Sequence, residues 1–134
     1  MNENPSKEAI RAAKNGDTDR LRTLVEVDSG LLLARDTDGS TPLHCATWKG
    51  HAATVEYLIS AGADLHLENE NDHWGGTPLH AAAHGNQKRA AELLIAAGAD
   101  IHRVSRNGRT PLQETTLHKA TTVAKLLRQH GATE

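Results

Sequence analysis

Nine histidines in 134 residues invite a search for metal or acid-base chemistry. His80-Ala81-Ala82-Ala83-His84 sets two imidazoles four apart, a spacing that puts both on one face of a helix and suits a divalent metal. The segment lacks the glutamate beside the first histidine that a His-Glu-x-x-His protease uses as its base, and no third ligand is fixed by spacing. The expectation is therefore no metal and no cofactor. His66 and His102 stand two residues beyond two copies of Gly-Ala-Asp. They read as turn-stabilising residues, with a pH-sensitive or metal-binding pair as the sharper alternative. The other histidines are dispersed along the chain, which argues against a single catalytic centre. Cys45, the only cysteine, cannot form an internal disulfide, and it reads as a small packed residue rather than a reactive thiol. No Gly-x-Ser-x-Gly, Gly-x-Gly-x-x-Gly or Gly-Lys-Ser/Thr segment is present, so nothing marks a serine hydrolase, a dinucleotide site or a phosphate loop.

The elements that would position any such residues are helical. With 37% hydrophobic and 24% charged residues the composition is that of an ordinary globular domain, and with no Phe the core has to be built from Leu, Ile, Val and Ala. A formal net charge of -2 gives no general case for nucleic acid or an anionic membrane surface. No run of 18 apolar residues occurs, and Met1 to Asp19 is too polar for a signal peptide. Together with the single cysteine, this leads us to expect a cytoplasmic protein, with the nucleus also open, whose mature form is the whole chain. Ser6 is positioned to cap a first helix that stops near Asn15-Gly16. Leu21, Leu24 and Val25, then Val55, Leu58 and Ile59, then Ala91, Leu94 and Ile95 keep the i, i+3, i+4 spacing of one apolar helical face.

One short segment recurs. Thr41-Pro42-Leu43-His44 returns after 36 residues as Thr77-Pro78-Leu79-His80 and after a further 33 as Thr110-Pro111-Leu112-Gln113. Threonine caps a helix, proline at the first helical position loses no hydrogen bond, and leucine then turns inward, so each copy starts a helix. With this motif at this period, the chain resembles an ankyrin-repeat protein. The resemblance implies an all-α solenoid of four helix-turn-helix units joined by hairpin-like loops. The approximate repeats are 5–37, 38–73, 74–106 and 107–134, within one domain covering 1–134, and the first and last act as caps. It also implies that His44 and His80 bridge to the neighbouring repeat through hydrogen bonds, with Gln113 as the departure. Lys7-Glu8-Ala9-Ile10 replaces the motif in the first repeat, and Arg128 replaces an apolar residue in the last. Both suit ends that meet water. Three extra residues between the second and third repeats are assigned to Leu67–Asn71, ahead of a turn at Asp72-His73-Trp74-Gly75.

In the family the variable residues of the fingers and first helices line a concave groove that binds other proteins. Carried over position by position, these are Thr37, Asp38, Ser40, Cys45, Trp48 and Lys49, then His73, Trp74, Gly76, Ala81 and His84, then Arg106, Asn107, Arg109, Glu114, Leu117 and His118. The residues expected to contact a partner are Trp48, Lys49, His73, Trp74, His84, Arg106, Arg109 and Leu117, because exposed tryptophan is enriched where binding energy concentrates. Between Thr37 and His73 one basic residue faces six acids, whereas Trp74 to Glu134 carries eight basic and four acidic residues. Such a dipole would orient a partner. The expected function is a non-enzymatic adaptor, monomeric when unbound, whose partner is another protein. The rival readings are a metal-dependent enzyme using histidines, and nucleotide or single-strand binding by stacking on Trp48 and Trp74 with Arg106 and Arg109.

Overall fold

The computed structural model describes residues 4–70 and 75–133. Within them the chain forms eight helices and no strand. They are α1 Pro5–Asn15, α2 Thr18–Val27, α3 Pro42–Lys49, α4 Ala52–Ser60, α5 Pro78–Gly85, α6 Lys88–Ala96, α7 Pro111–Leu117 and α8 Thr121–Gln129, with a 3-10 turn at Ser29–Leu33. Each odd-numbered helix packs against the even-numbered helix that follows it. The pairs stack so that α1, α3, α5 and α7 form one layer and α2, α4, α6 and α8 the other.

The repeated motif explains where the inner helices start. At α3 the Thr41 hydroxyl accepts the His44 N–H while the His44 ring accepts the Thr41 N–H, and Thr110 and Gln113 make the same reciprocal arrangement at α7. At α5 the His80 Nδ1 accepts the Thr77 N–H at 3.1 Å. The leucine of each copy, Leu43, Leu79 and Leu112, is 1% exposed. Across from them Leu21, Leu58, Leu94 and Leu127 are fully buried, and Ala46, Ala82, Ala83 and Ala91 let the helices approach closely. The start of α1 differs from expectation. Its cap is Asn4, whose side chain accepts the Ser6 N–H at 2.8 Å, because Pro5 takes the first helical position and Ser6 already lies inside the helix. In the 3-10 turn Leu31 is buried and Leu32 packs against the core, whereas Leu33 is 60% exposed.

Two sets of polar joints tie the pairs together. The buried His44 ring donates from Nε2 to the Gly76 carbonyl at 2.8 Å, and His80 donates likewise to the Arg109 carbonyl at 2.8 Å. In the opposite direction His51 donates to the Lys14 carbonyl at 2.9 Å and Gln87 to the Trp48 carbonyl at 3.1 Å. These satisfy carbonyls near the ends of α1 and α3. Gly76 is needed twice over. It has a φ of 149°, and a Cβ there would lie 2.6 Å from the His80 ring, so a side chain would displace the ring that makes the next joint.

The fingers share a base. The amide of Asp36 bonds the Ser40 carbonyl, that of Asn69 the Gly76 carbonyl and that of Ser105 the Arg109 carbonyl. Asp36, Asn69 and Ser105 also accept backbone N–H groups of their own fingers through their side chains. This register moves the insertion. The three extra residues fall between Asn69 and Gly76, which excludes the Leu67–Asn69 part of the expected segment, because Asn69 is the fixed finger base. It is fully buried, and its Nδ2 donates to Ser40 Oγ at 3.0 Å.

The core registers of α4 and α6 yield a stability test. Replacing Leu58 or Leu94 by Ala should cost on the order of 2 to 5 kcal/mol in urea unfolding, through lost apolar burial and the cavity left behind. Losses under about 0.5 kcal/mol at both sites, the scale of a surface substitution, would contradict their placement in the core.

Candidate functional site

The histidines divide into those spent on the fold and those left facing the surface. His44 and His80 are fully buried. Burial pushes the His44 imidazole down to about 4, and burial likewise lowers His80, with the carbonyl bonds from Gly76 and Arg109 opposing the shift in each case. Each is a neutral ring that accepts at Nδ1 and donates at Nε2. His66 and His102 do not use their rings on each other. His66 Nε2 accepts the Asp100 N–H at 3.1 Å, linking two successive turns, and both histidines offer their own N–H to the aspartate two residues earlier. Cys45 is 4% exposed, and burial, with Asp36 close by, pushes its thiol up to about 12, which leaves no reactive thiolate.

His84 is half-buried on α5, and it is the groove histidine that the His80 pairing concealed. Its ring lies 6.4 Å from that of Trp48 on α3 and 4.0 Å, edge-on, from that of His118 at the end of α7. Trp48 is 36% exposed, and Lys49 Nζ sits 5.0 Å above its ring. Beneath the histidines lies Glu114, fully buried, whose Oε2 accepts from Arg109 Nε at 2.7 Å. Its Oε1 lies 3.4 Å from His118 Nε2 and has no hydrogen-bond partner. One ligand atom from each of His84, Glu114 and His118 lies within 4.8 Å of the others.

Of the residues expected to contact a partner, the structure gathers Trp48, Lys49 and His84 into one patch, with Arg109 reaching it through Glu114. Leu117 is 58% exposed on α7. Arg106 stands apart in the third finger, where its N–H bonds Glu68 Oε1 and its guanidinium lies 3.7 Å from Glu70 Oε1. His73 and Trp74 lie outside the described residues. Five positions assigned to the groove are instead buried. Ser40 and Gly76 belong to the finger bases, and Cys45, Ala81 and Glu114, at equivalent places on α3, α5 and α7, are at most 4% exposed, because this register turns under the next inner helix. Glu114 and His118 were both assigned to the groove by sequence, yet their pairing with His84 was not seen. The available signal was their spacing of four on one helix. The third group comes from a different helix, and no linear pattern encodes that. Both arginines required for reading a phosphate backbone are engaged by carboxylates, which weighs against the stacking-and-arginine reading.

Among the described residues no helix is long and apolar enough to cross a membrane. The family model "Ankyrin repeats (3 copies)" matches the chain over residues 4–69 and 65–133. Among curated proteins, the chain is 41% identical over 69 residues to a transient receptor potential cation channel subfamily A member 1 homolog of Caenorhabditis elegans, 52% of this chain and 6% of that protein. It is 48% identical over 54 residues to a 60 kDa lysophospholipase of Mus musculus, 40% of this chain and 9% of the relative. To ankyrin repeat domain-containing protein 49 of Homo sapiens it is 36% identical over 66 residues, 49% of this chain and 28% of that one. The chain thus matches less than a third of the length of each of these relatives.

The neutral histidine joint carries a pH dependence. The unfolded imidazole has its ordinary value of 6.5 and the folded one about 4, so the unfolded state binds more protons between these limits. The stability contributed is fully present above pH 6.5 and falls away as the pH drops toward 4. For His44 alone the loss should reach about 3 kcal/mol. Urea unfolding at neutral pH and near pH 4.5 should show a steep loss in the wild type and a shallower one in His44→Gln. Equal slopes in the two proteins would refute this account.

Proposed function

We propose, because this chain belongs to the ankyrin-repeat family, that it is a non-enzymatic adaptor that binds another protein through the groove lined by its inner helices and fingers. Ankyrin repeats are generally protein–protein interaction modules, and the family is generally non-catalytic. The reading takes the four helix pairs as one cytoplasmic domain, monomeric when unbound.

The observation that supports it best is Trp48. A tryptophan left 36% exposed, with its flank against His84 and a lysine over its face, exposes apolar surface to water. Trp48, His84 and Leu117 stand seven residues after Thr41, Thr77 and Thr110. They therefore form a row of apolar and aromatic side chains across three successive repeats at positions the core does not use. A large rigid ring flanked by cationic and polar groups is the composition found where binding energy concentrates. His73 and Trp74 belong to the proposed surface by their place in the inserted finger.

Affinity capture from native lysate, followed by titration of the captured protein, tests the reading. Trp48→Ala should weaken binding by roughly 2 kcal/mol or more, about thirtyfold, while altering stability little. Lys125→Ala, exposed on the outer helix α8, should leave both unchanged. A folded Trp48→Ala protein that keeps every partner at wild-type affinity would show that the ring is a packing element and the groove reading misplaced.

A further inference from the structure

We propose that His84, Glu114 and His118 form a binding site for a divalent transition-metal ion, zinc or a late first-row neighbour, between the third and fourth repeats. The inference reverses the expectation drawn from the linear His80–His84 pair. His80 is committed to the Arg109 carbonyl, and the missing ligands come from the next inner helix. The donor set of two imidazoles and one carboxylate suits zinc, cobalt, nickel or copper better than calcium or magnesium, which prefer oxygen ligands. Bonds of about 2.0–2.2 Å to a tetrahedral ion bring ligand atoms to roughly 3.4 Å of one another. The three groups already lie within 4.8 Å, and the two rings, one exposed and one half-buried, can rotate to close the difference.

The electrostatics of the cluster favour an ion over an ordinary salt bridge. Glu114 is fully buried, and only its Oε2 is anchored, by Arg109. A buried carboxylate oxygen without a hydrogen-bond donor is uncommon and costly. His118 Nε2 lies 3.4 Å from that unanchored oxygen, and the His84 ring lies 4.0 Å from that of His118. A metal ion satisfies the carboxylate with both rings neutral. Arg109 then orients the carboxylate from behind, as outer groups do at metal sites, while its charge moderates the affinity. With three protein ligands the fourth position is left for water on the open side of the cluster, where His118 is exposed.

The test uses the untagged full chain, stripped with chelator and titrated with Zn²⁺ by calorimetry and with Co²⁺ by visible absorption. The expected result is one ion per chain, an intense four-coordinate Co²⁺ spectrum, and a melting temperature raised by Zn²⁺. His84→Ala and His118→Ala, both at positions not fully buried, should each lower affinity by at least about tenfold with the helical circular dichroism unchanged. His130→Ala, at the exposed end of α8, should bind as the wild type does. Absence of stoichiometric binding in the wild type would overturn the proposal. So would binding that survives both ligand variants, since the ion would then sit elsewhere.

Discussion

The stack depends on a neutral imidazole that serves two units at once. Within its own repeat, His44 accepts the Thr41 N–H and closes the start of α3, and across the joint it donates to the Gly76 carbonyl. His80 repeats the device one unit on. A finger carbonyl buried at a joint between repeats would cost free energy if left without a donor, and an apolar side chain could not supply one. A lysine or arginine would supply a donor together with a charge that burial penalises. Neutral histidine offers an acceptor and a donor on opposite sides of one rigid ring. The requirement propagates to its neighbours: the acceptor is a glycine because a Cβ at Gly76 would meet the next ring in the series.

Regularity of this kind leaves function to the departures. At the equivalent place on α3, α5 and α7 stand Cys45, Ala81 and Glu114, all buried. In two repeats a small residue fills the space, and in the third a carboxylate does, which then requires Arg109 on one oxygen and draws the face of His118 and His84 toward the other. The polar cluster is therefore a consequence of a single exception in the repeat, placed against a histidine from the preceding unit. Trp48 extends the same row of side chains by one repeat, so the proposed binding surface and the polar cluster share one face of the inner helices.

The fingers show the same division between frame and variation. Their bases are held by short polar side chains that accept backbone N–H groups, and the second finger is tied to the first through the Glu70 N–H and the Asp38 carbonyl at 2.7 Å. The first finger is further clasped by Arg35, which donates to its own Gly39 carbonyl and to that of Glu68. Length is thus added beyond the base at Asn69, where it disturbs none of these bonds. Loops of repeat proteins tolerate insertion for this reason.

How much of this the chain declares in advance depends on the range of the interaction. The Thr-Pro-Leu-His copies, the apolar spacing of the outer helices and the capping glycines act within one or two turns, so the sequence by itself determined the helix pairs, their order and their core leucines. It also singled out His44 and His80 as joints, through the resemblance that the motif carries. Where two local signals competed it misled, as when Ser6 looked like the cap that Asn4 provides, or when Leu67–Asn71 looked like the insertion although Asn69 is a buried base. The cluster of His84, Glu114 and His118 was beyond its reach. Those residues meet because α5 and α7 pack side by side, at a distance and rotation set by the alanines and leucines between the layers. Only the tertiary structure decided that Glu114 would be buried, that His84 would face the following repeat instead of its helical neighbour His80, and that half a carboxylate would be left without a donor.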